Sequence, residues 1–340
     1  MRYKLLGRSG LRVSEVCLGT MTFGEDWGWG ASREESRRIF DVFAEAGGNF
    51  IDTACNYTDG TSEKFVGEFI AGDRDHFVVA TKYALTERPD DPNFGGNQRK
   101  NMLRSVEGSL QRLDTDHIDL FWLHMWDFTT PVEEVLRGLD DLVRAGKVLY
   151  VGISDTPAWV VAQANAIAEL RGWSRFVALQ LPYSLADRAP ERDLLPMAKA
   201  LDMAVTAWGT LEGGELTGKY NRESDEPKRY ESAGQKTMAL AEVVMEVAAE
   251  VERSPAQVAI NWVRQQQDKS LIIPIVGARS EAQIRDNLAC LEWELTPAQL
   301  QRLTEQSPID LGFPHSFLHG DHVRGLIFGE TFALIDNHRR

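Results

Sequence analysis

Cysteine is scarce: Cys17, Cys55 and Cys290 are the only three in 340 residues. Scattered and odd in number, they form neither a CxxC pair nor a disulfide framework, and a reducing cytoplasm is the expected setting. No cluster of His, Cys and carboxylates has metal-ligand spacing, so no metal is expected. Positive charge is also short, with 37 Lys and Arg against 51 Asp and Glu and a net charge of −14. So acidic a chain repels phosphate backbones; no nucleic-acid partner is expected, although a local basic pocket for a small phosphate stays open. Nothing approaches the ~20 consecutive apolar residues of a membrane span, and the N-terminal stretch has no apolar core of signal-peptide length. The glycine fingerprint GxGxxG is missing as well. Gly213 to Lys219 does fit GxxxxGK, but Tyr220 stands where a magnesium-binding Ser or Thr is needed and no strand–loop–helix context surrounds it, which excludes a P-loop. No linker divides the chain, so residues 1–340 read as one domain.

What is present is alternation. Eight β-rich runs, at residues 16–21, 50–54, 77–82, 118–124, 148–154, 176–182, 204–208 and 271–276, are rich in Val, Ile, Leu and aromatics. Several are apolar throughout, as parallel strands buried on both faces must be. Helix signatures separate them. Ser32 with Glu35 reads as a capping box, Ile39, Val42, Phe43 and Ala46 follow on one face, and Gly47-Gly48 supplies a left-handed stop. Thr130-Pro131 with Glu133 opens a second such pattern, running through Val135, Leu136, Leu139, Leu142 and Val143 to Gly146. Ser280 with Gln283, and Thr296-Pro297 with Gln299, open two more. Eight βα units in succession predict a (β/α)8 TIM barrel, because right-handed crossovers leave few other closed solutions; an open doubly wound sheet is the alternative. Residues 4–14 predict an N-terminal β-hairpin closing the barrel bottom. Residues 211–237 lack periodicity and predict a long functional loop, one of several extra segments at the mouth.

Active sites in such barrels lie at the carboxyl ends of the strands. There the sequence places Asp52, with Tyr57 just beyond, then Lys82, then His124. A free phenol has a pKa of about 10, too high for efficient acid–base work at neutral pH. An ammonium ~4 Å away is worth at most about 4 kcal/mol at an effective dielectric of ~20, which predicts a lowered Tyr57 pKa, with burial offsetting part of the fall. Asp52 would keep Lys82 charged, and His124 could hydrogen-bond a substrate oxygen. Taken singly, each residue is more readily a cap, a rim charge, a core histidine or a loop aromatic; jointly, at consecutive strand ends, they point to protonation of a developing alkoxide.

These four residues, with Asp52-Thr53-Ala54, Tyr150-Val151-Gly152-Ile153-Ser154 and Ile273-Pro274-Ile275-Val276-Gly277-Ala278-Arg279, resemble the aldo-keto reductase family over essentially the full length. Asp52, Tyr57, Lys82 and His124 match that family's catalytic tetrad. The resemblance implies NADP(H) lying across the barrel mouth and a small carbonyl substrate. Ser154 and Gln180 match residues that hold the nicotinamide carboxamide, and Trp208 matches an aromatic stacked on the ring. Leu211 to Gly218, with Gly213 inside it, matches the loop over the pyrophosphate, and Gly209 and Thr210 just before it are further cofactor-binding candidates. Gly277, Arg279, Gln283 and Asn287 match the adenosine end, with Arg279 toward the 2′-phosphate. Asp155 is a departure, standing where the family usually has Asn. Phe23, Trp27, Trp29, Tyr83 and Trp126 follow strand ends and are candidates for the substrate pocket. The stretch Leu311-Gly312-Phe313-Pro314 resembles the aryl-alcohol dehydrogenase-like group within the family.

Three functions fit such a site. The first is NADPH-dependent reduction of aldehydes or ketones. The second is a nicotinamide-binding regulatory subunit resembling potassium-channel β-subunits, which keep the same four residues. The third is a Schiff-base lyase acting through Lys82, which an adjacent Asp52 disfavours by keeping the amine charged. Substrate, reaction direction and oligomeric state are not legible.

Overall fold

In a computed structural model, described for residues 1–221, 232 and 234–337, eight parallel strands close into a barrel. The strands are β3 (Cys17–Gly19), β4 (Phe50–Asp52), β5 (Val78–Tyr83), β6 (Ile118–Leu123), β7 (Val148–Ser154), β8 (Phe176–Pro182), β9 (Ala204–Trp208) and β10 (Ile272–Val276). Each pairs with its sequence neighbour, and β10 closes the ring on β3 through Ile275 opposite Cys17. Helices α1 (Arg33–Glu45), α2 (Thr61–Ile70), α3 (Arg99–Leu113), α4 (Val132–Arg144), α5 (Ala158–Arg171) and α6 (Leu194–Ala200) follow the first six barrel strands. Two helices, α7 (Gln235–Glu250) and α8 (Pro255–Arg264), lie between β9 and β10, and α9 (Glu281–Leu288) and α10 (Pro297–Glu305) follow β10. Short helices α11 (His315–Leu318) and α12 (Asp321–Phe328) lead toward the C-terminus. No helix among the described residues is long and apolar enough to cross a membrane.

Strand side chains alternate between two cores, as a period of two demands. One set packs outward against the helices, including Tyr83, Phe121, Leu123, Val151 and Leu179. The other fills the barrel, with Phe50, Val78, Leu120, Trp122, Ala178 and Ile273. The Trp122 indole is the bulkiest of these, and β7 makes room for it with Gly152, where an added Cβ would lie 2.3 Å from the ring. The predicted hairpin forms from β1 (Tyr3–Leu5) and β2 (Arg12–Ser14) and inserts Leu6 and Val13 into the barrel interior.

The helix starts show where side-chain chemistry was read correctly and where it was not. Thr296 and Gln299 form the full reciprocal box. Ser32 accepts from the Glu35 N–H, but the Glu35 carboxylate turns away to Arg38 and to the backbone N–H of Glu281. Ser280 likewise accepts from Gln283 N–H, while the Gln283 side chain takes the N–H of Arg279. Thr130 does not cap α4 at all: its hydroxyl donates to Asp127, whose carboxylate also holds the N–H groups of Asn97, Thr129 and Thr130. An Asp three residues upstream thus draws the threonine hydroxyl away from the helix start, and α4 begins without a side-chain cap. The predicted loop 211–237 begins as a 3-10 turn, Glu212–Thr217, and α7 starts at Gln235; residues 222–231 and 233 fall outside the described residues.

Candidate active site

Side chains on the inner face at the carboxyl ends of β4, β5 and β6 point into one space. Lys82, fully buried, uses its ammonium three ways: on Asp52 Oδ2 at 2.5 Å, on the Thr53 carbonyl at 2.8 Å and on the Tyr57 phenol oxygen at 3.0 Å. Three donors meet three acceptors, which is what a buried ammonium requires. The second Asp52 oxygen accepts from Gln180 Nε2 at 2.9 Å, and that amide also reaches Thr206 Oγ1 at 3.3 Å. Tyr57, half-buried in the 3-10 turn after β4, presents its ring edge-on to His124, with centroids 6.2 Å apart. All four residues predicted to act together are therefore in one cluster.

Their ionisation follows from burial and charge. Burial alone would lower the Lys82 pKa, but the Asp52 carboxylate and the Tyr57 phenol oppose it and the net displacement is upward. Burial raises the Tyr57 pKa, and the Lys82 ammonium only partly counters it. This corrects the expectation of a lowered phenol pKa: desolvation outweighs the ammonium, much of whose field Asp52 already cancels. Tyr57 is thus a protonated donor, as a proton source must be. Burial, helped by the Lys82 charge, lowers His124 to about 3, so its imidazole is neutral.

At the end of β7, Ser154 is buried and its Oγ lacks a hydrogen-bond partner of good geometry; His124 Nδ1 is equally unsatisfied. Asp155 follows, with φ of +39°, and its Oδ1 accepts from the Trp208 indole N–H at 3.4 Å. The Trp208 ring keeps 42% of its surface exposed at the mouth. Gly209, Gly213 and Gly218 all have positive φ, which bends the chain after β9 around the mouth, while Thr210 is buried and donates to the Ile275 carbonyl. Leu211 packs on the helix-facing core. Beyond β10, Asn287, near the end of α9, donates to the Gly277 carbonyl at 3.1 Å and Gln283, in its first turn, accepts from the Arg279 N–H at 2.8 Å, so both side chains reach back to the loop before the helix. Unsatisfied buried polar atoms, a flat exposed indole and a glycine-bent rim fit a nicotinamide dinucleotide. Among the described residues no group of His, Cys, Asp and Glu is arranged to hold a metal.

The five candidate pocket residues divide. Trp27 stands edge-on to Tyr57 with centroids 6.5 Å apart and packs against Trp29 at 5.9 Å; Trp27 borders the phenol and Trp29 backs it. Trp126 is half-buried at the end of β6, its N–H donating to the Asp155 carbonyl. Tyr83 and Phe23 are misplaced by the pocket reading. Tyr83 immediately follows inward-facing Lys82, so it must face outward; it stacks on Phe121 at 5.1 Å and is fully buried. Phe23 packs edge-on to Phe69 at 6.2 Å in the same layer. The sequence reading missed Thr53, Thr206 and the reciprocal Asn97–Asp127 pairing that joins two mouth loops. The inward parity of Thr206, two residues before Trp208, was an available signal; a backbone carbonyl leaves none.

A family model described as "Aldo/keto reductase family" matches residues 15–307. The chain is 39% identical to an aryl-alcohol dehydrogenase [NADP(+)] of Phanerodontia chrysosporium, over 92% of this chain and 87% of that one. It is 38% identical to a norsolorinic acid reductase of Aspergillus flavus, over 92% and 83% of the two chains. A putative aryl-alcohol dehydrogenase of Saccharomyces cerevisiae is 34% identical over 94% of this chain and 90% of its own.

Proposed function

The chain belongs to the aldo/keto reductase family, and from that premise we propose that it reduces aldehydes or ketones to alcohols with NADPH, Tyr57 supplying the proton. The observation that carries this reading is the Lys82 ammonium held at 3.0 Å from the Tyr57 oxygen and 2.5 Å from Asp52. When bound, the nicotinamide supplies a hydride to the carbonyl carbon. Tyr57 gives its proton to the carbonyl oxygen as negative charge develops there, and Lys82 stabilises the phenolate left behind. Asp52 keeps Lys82 charged and fixed. The neutral imidazole of His124 orients the substrate oxygen. Ser154, Asp155 and Gln180 would hold the nicotinamide end, Trp208 would offer its exposed indole to the ring, and Arg279 would take the 2′-phosphate. Trp27, Trp29 and Trp126 favour flat aromatic carbonyls, in keeping with the names of the relatives. Three buried, unpaired cysteines suit a reducing cytoplasm.

A panel of aryl and aliphatic aldehydes and ketones, assayed with NADPH and NADH by the absorbance of the reduced nicotinamide, tests the proposal. Turnover of 4-nitrobenzaldehyde with NADPH is expected. Tight nucleotide binding with no turnover on any carbonyl would replace it with the regulatory reading. A Schiff-base role for Lys82 is opposed by the three oxygens that occupy its donors and keep it charged; borohydride trapping of a substrate adduct on Lys82 would reinstate it.

A further inference from the structure

The charges of the four clustered residues cancel. Asp52 and Lys82 form a contact pair, Tyr57 is a protonated phenol, and His124, with its pKa lowered to about 3, is neutral. Asp155 adds a negative charge beside this neutral cluster. Its carboxylate is half-buried, its hydrogen bond from the Trp208 indole is long at 3.4 Å, and it forms no ion pair among the described residues. The group is not on a loose loop. Its N–H donates to the Gln180 carbonyl at 3.3 Å and its own carbonyl accepts from the Trp126 N–H at 3.5 Å, so strand β8 and the β6–α4 loop hold it from both sides. Burial raises its pKa, with Trp208, Ser154 and the Lys82 charge opposing the rise.

Loss of a hydride leaves a nicotinamide ring cationic, while the reduced ring is neutral. We propose that Asp155 sets the oxidation-state preference of the bound nicotinamide, stabilising the oxidised cation over the reduced form. The inference rests on the cofactor reading above and extends it: by stabilising bound NADP+, the carboxylate lowers the potential of the bound couple and so favours hydride transfer from NADPH to the carbonyl on the protein, relative to a site without that charge. Asparagine at the same position has the same shape, tolerates positive φ, and leaves the site neutral.

The test is binding, not turnover. Dissociation constants for NADP+ and NADPH are measured by calorimetry on the wild-type protein and on Asp155→Asn. The variant is expected to weaken NADP+ about tenfold while changing NADPH less than about threefold. A tenfold change in their ratio equals about 30 mV in the potential of the bound two-electron couple. Asp155→Ser, which also removes the charge but shortens the side chain, should move the ratio in the same direction. An unchanged ratio in Asp155→Asn overturns this inference alone and leaves the reductase reading standing. Failure of the wild-type protein to bind either nucleotide overturns the cofactor reading, and this inference with it.

Discussion

A lysine without exposed surface stays charged only if each of its donors finds an oxygen, and Lys82 finds three. The phenol it touches remains protonated at neutral pH because burial dominates. Tyr57→Phe removes the transferable proton and leaves the ring, so kcat should fall by about 10²–10⁴-fold while the NADPH dissociation constant stays within about twofold; an unchanged kcat would move the proton source elsewhere. His124 gives a prediction for stability. Its folded pKa of about 3 lies below the ordinary histidine value of 6.5. Between those values the unfolded chain binds a proton that the folded chain does not, so the histidine subtracts stability as pH falls below 6.5, by about 1.4 kcal/mol per pH unit well inside that window. Carboxylates titrate there too, so the comparison must be with a variant. His124→Gln should lose about 2–3 kcal/mol less than wild type between pH 6.5 and 4.5 in urea unfolding; parallel curves would show that the imidazole is not held neutral.

At the scale of elements, parity does most of the work. Asp52, Lys82, Ser154, Gln180, Thr206 and Trp208 reach one space because strands in parallel register place alternate residues inward. The same parity makes the barrel sensitive at Gly152. An alanine Cβ there would stand 2.3 Å from the Trp122 ring, and overpacking of this kind costs about 1–3 kcal/mol. Gly152→Ala should lower the urea midpoint accordingly with little change in slope; no shift would mean that Trp122 can move aside. The strands were legible because runs buried on both faces are continuously apolar: β7, β8 and β9 fall at the predicted residues. Side-chain direction was less legible where it was not asked of the register. Tyr83 was assigned to the pocket by its nearness to a strand end, although inward Lys82 beside it forces it outward. Caps were legible only in part, since other partners draw capping side chains away. Asp127, only three residues upstream, takes the Thr130 hydroxyl, and the Glu281 N–H draws off the Glu35 carboxylate. The second contact spans 246 residues and leaves no local trace in the sequence.

Across the whole molecule, the proposed cofactor poses an electrostatic problem: an acidic protein would have to admit an anionic dinucleotide. The net charge of −14 opposes approach over distances set by salt, about 30 Å at 0.01 M and about 8 Å at 0.15 M ionic strength. On the proposed reading, only at short range would Arg279, its N–H held by Gln283 at the α9 start, offer a 2′-phosphate a guanidinium. The two effects separate in kinetics. Long-range repulsion acts on the association rate, so that rate for NADPH should rise about two- to fivefold as salt is raised from 0.01 to 0.15 M. The local contact acts on dissociation. Arg279→Ala should therefore speed NADPH release by about tenfold or more, leave NADH nearly untouched, and keep the upward salt dependence of association. Stopped-flow tryptophan fluorescence reads both rates. If association instead slowed with added salt, a positive field at the mouth would outweigh the charge of the whole chain. If the substitution weakened both nucleotides equally, the guanidinium would not be reading the 2′-phosphate, and discrimination between them would have to lie outside the α9 start.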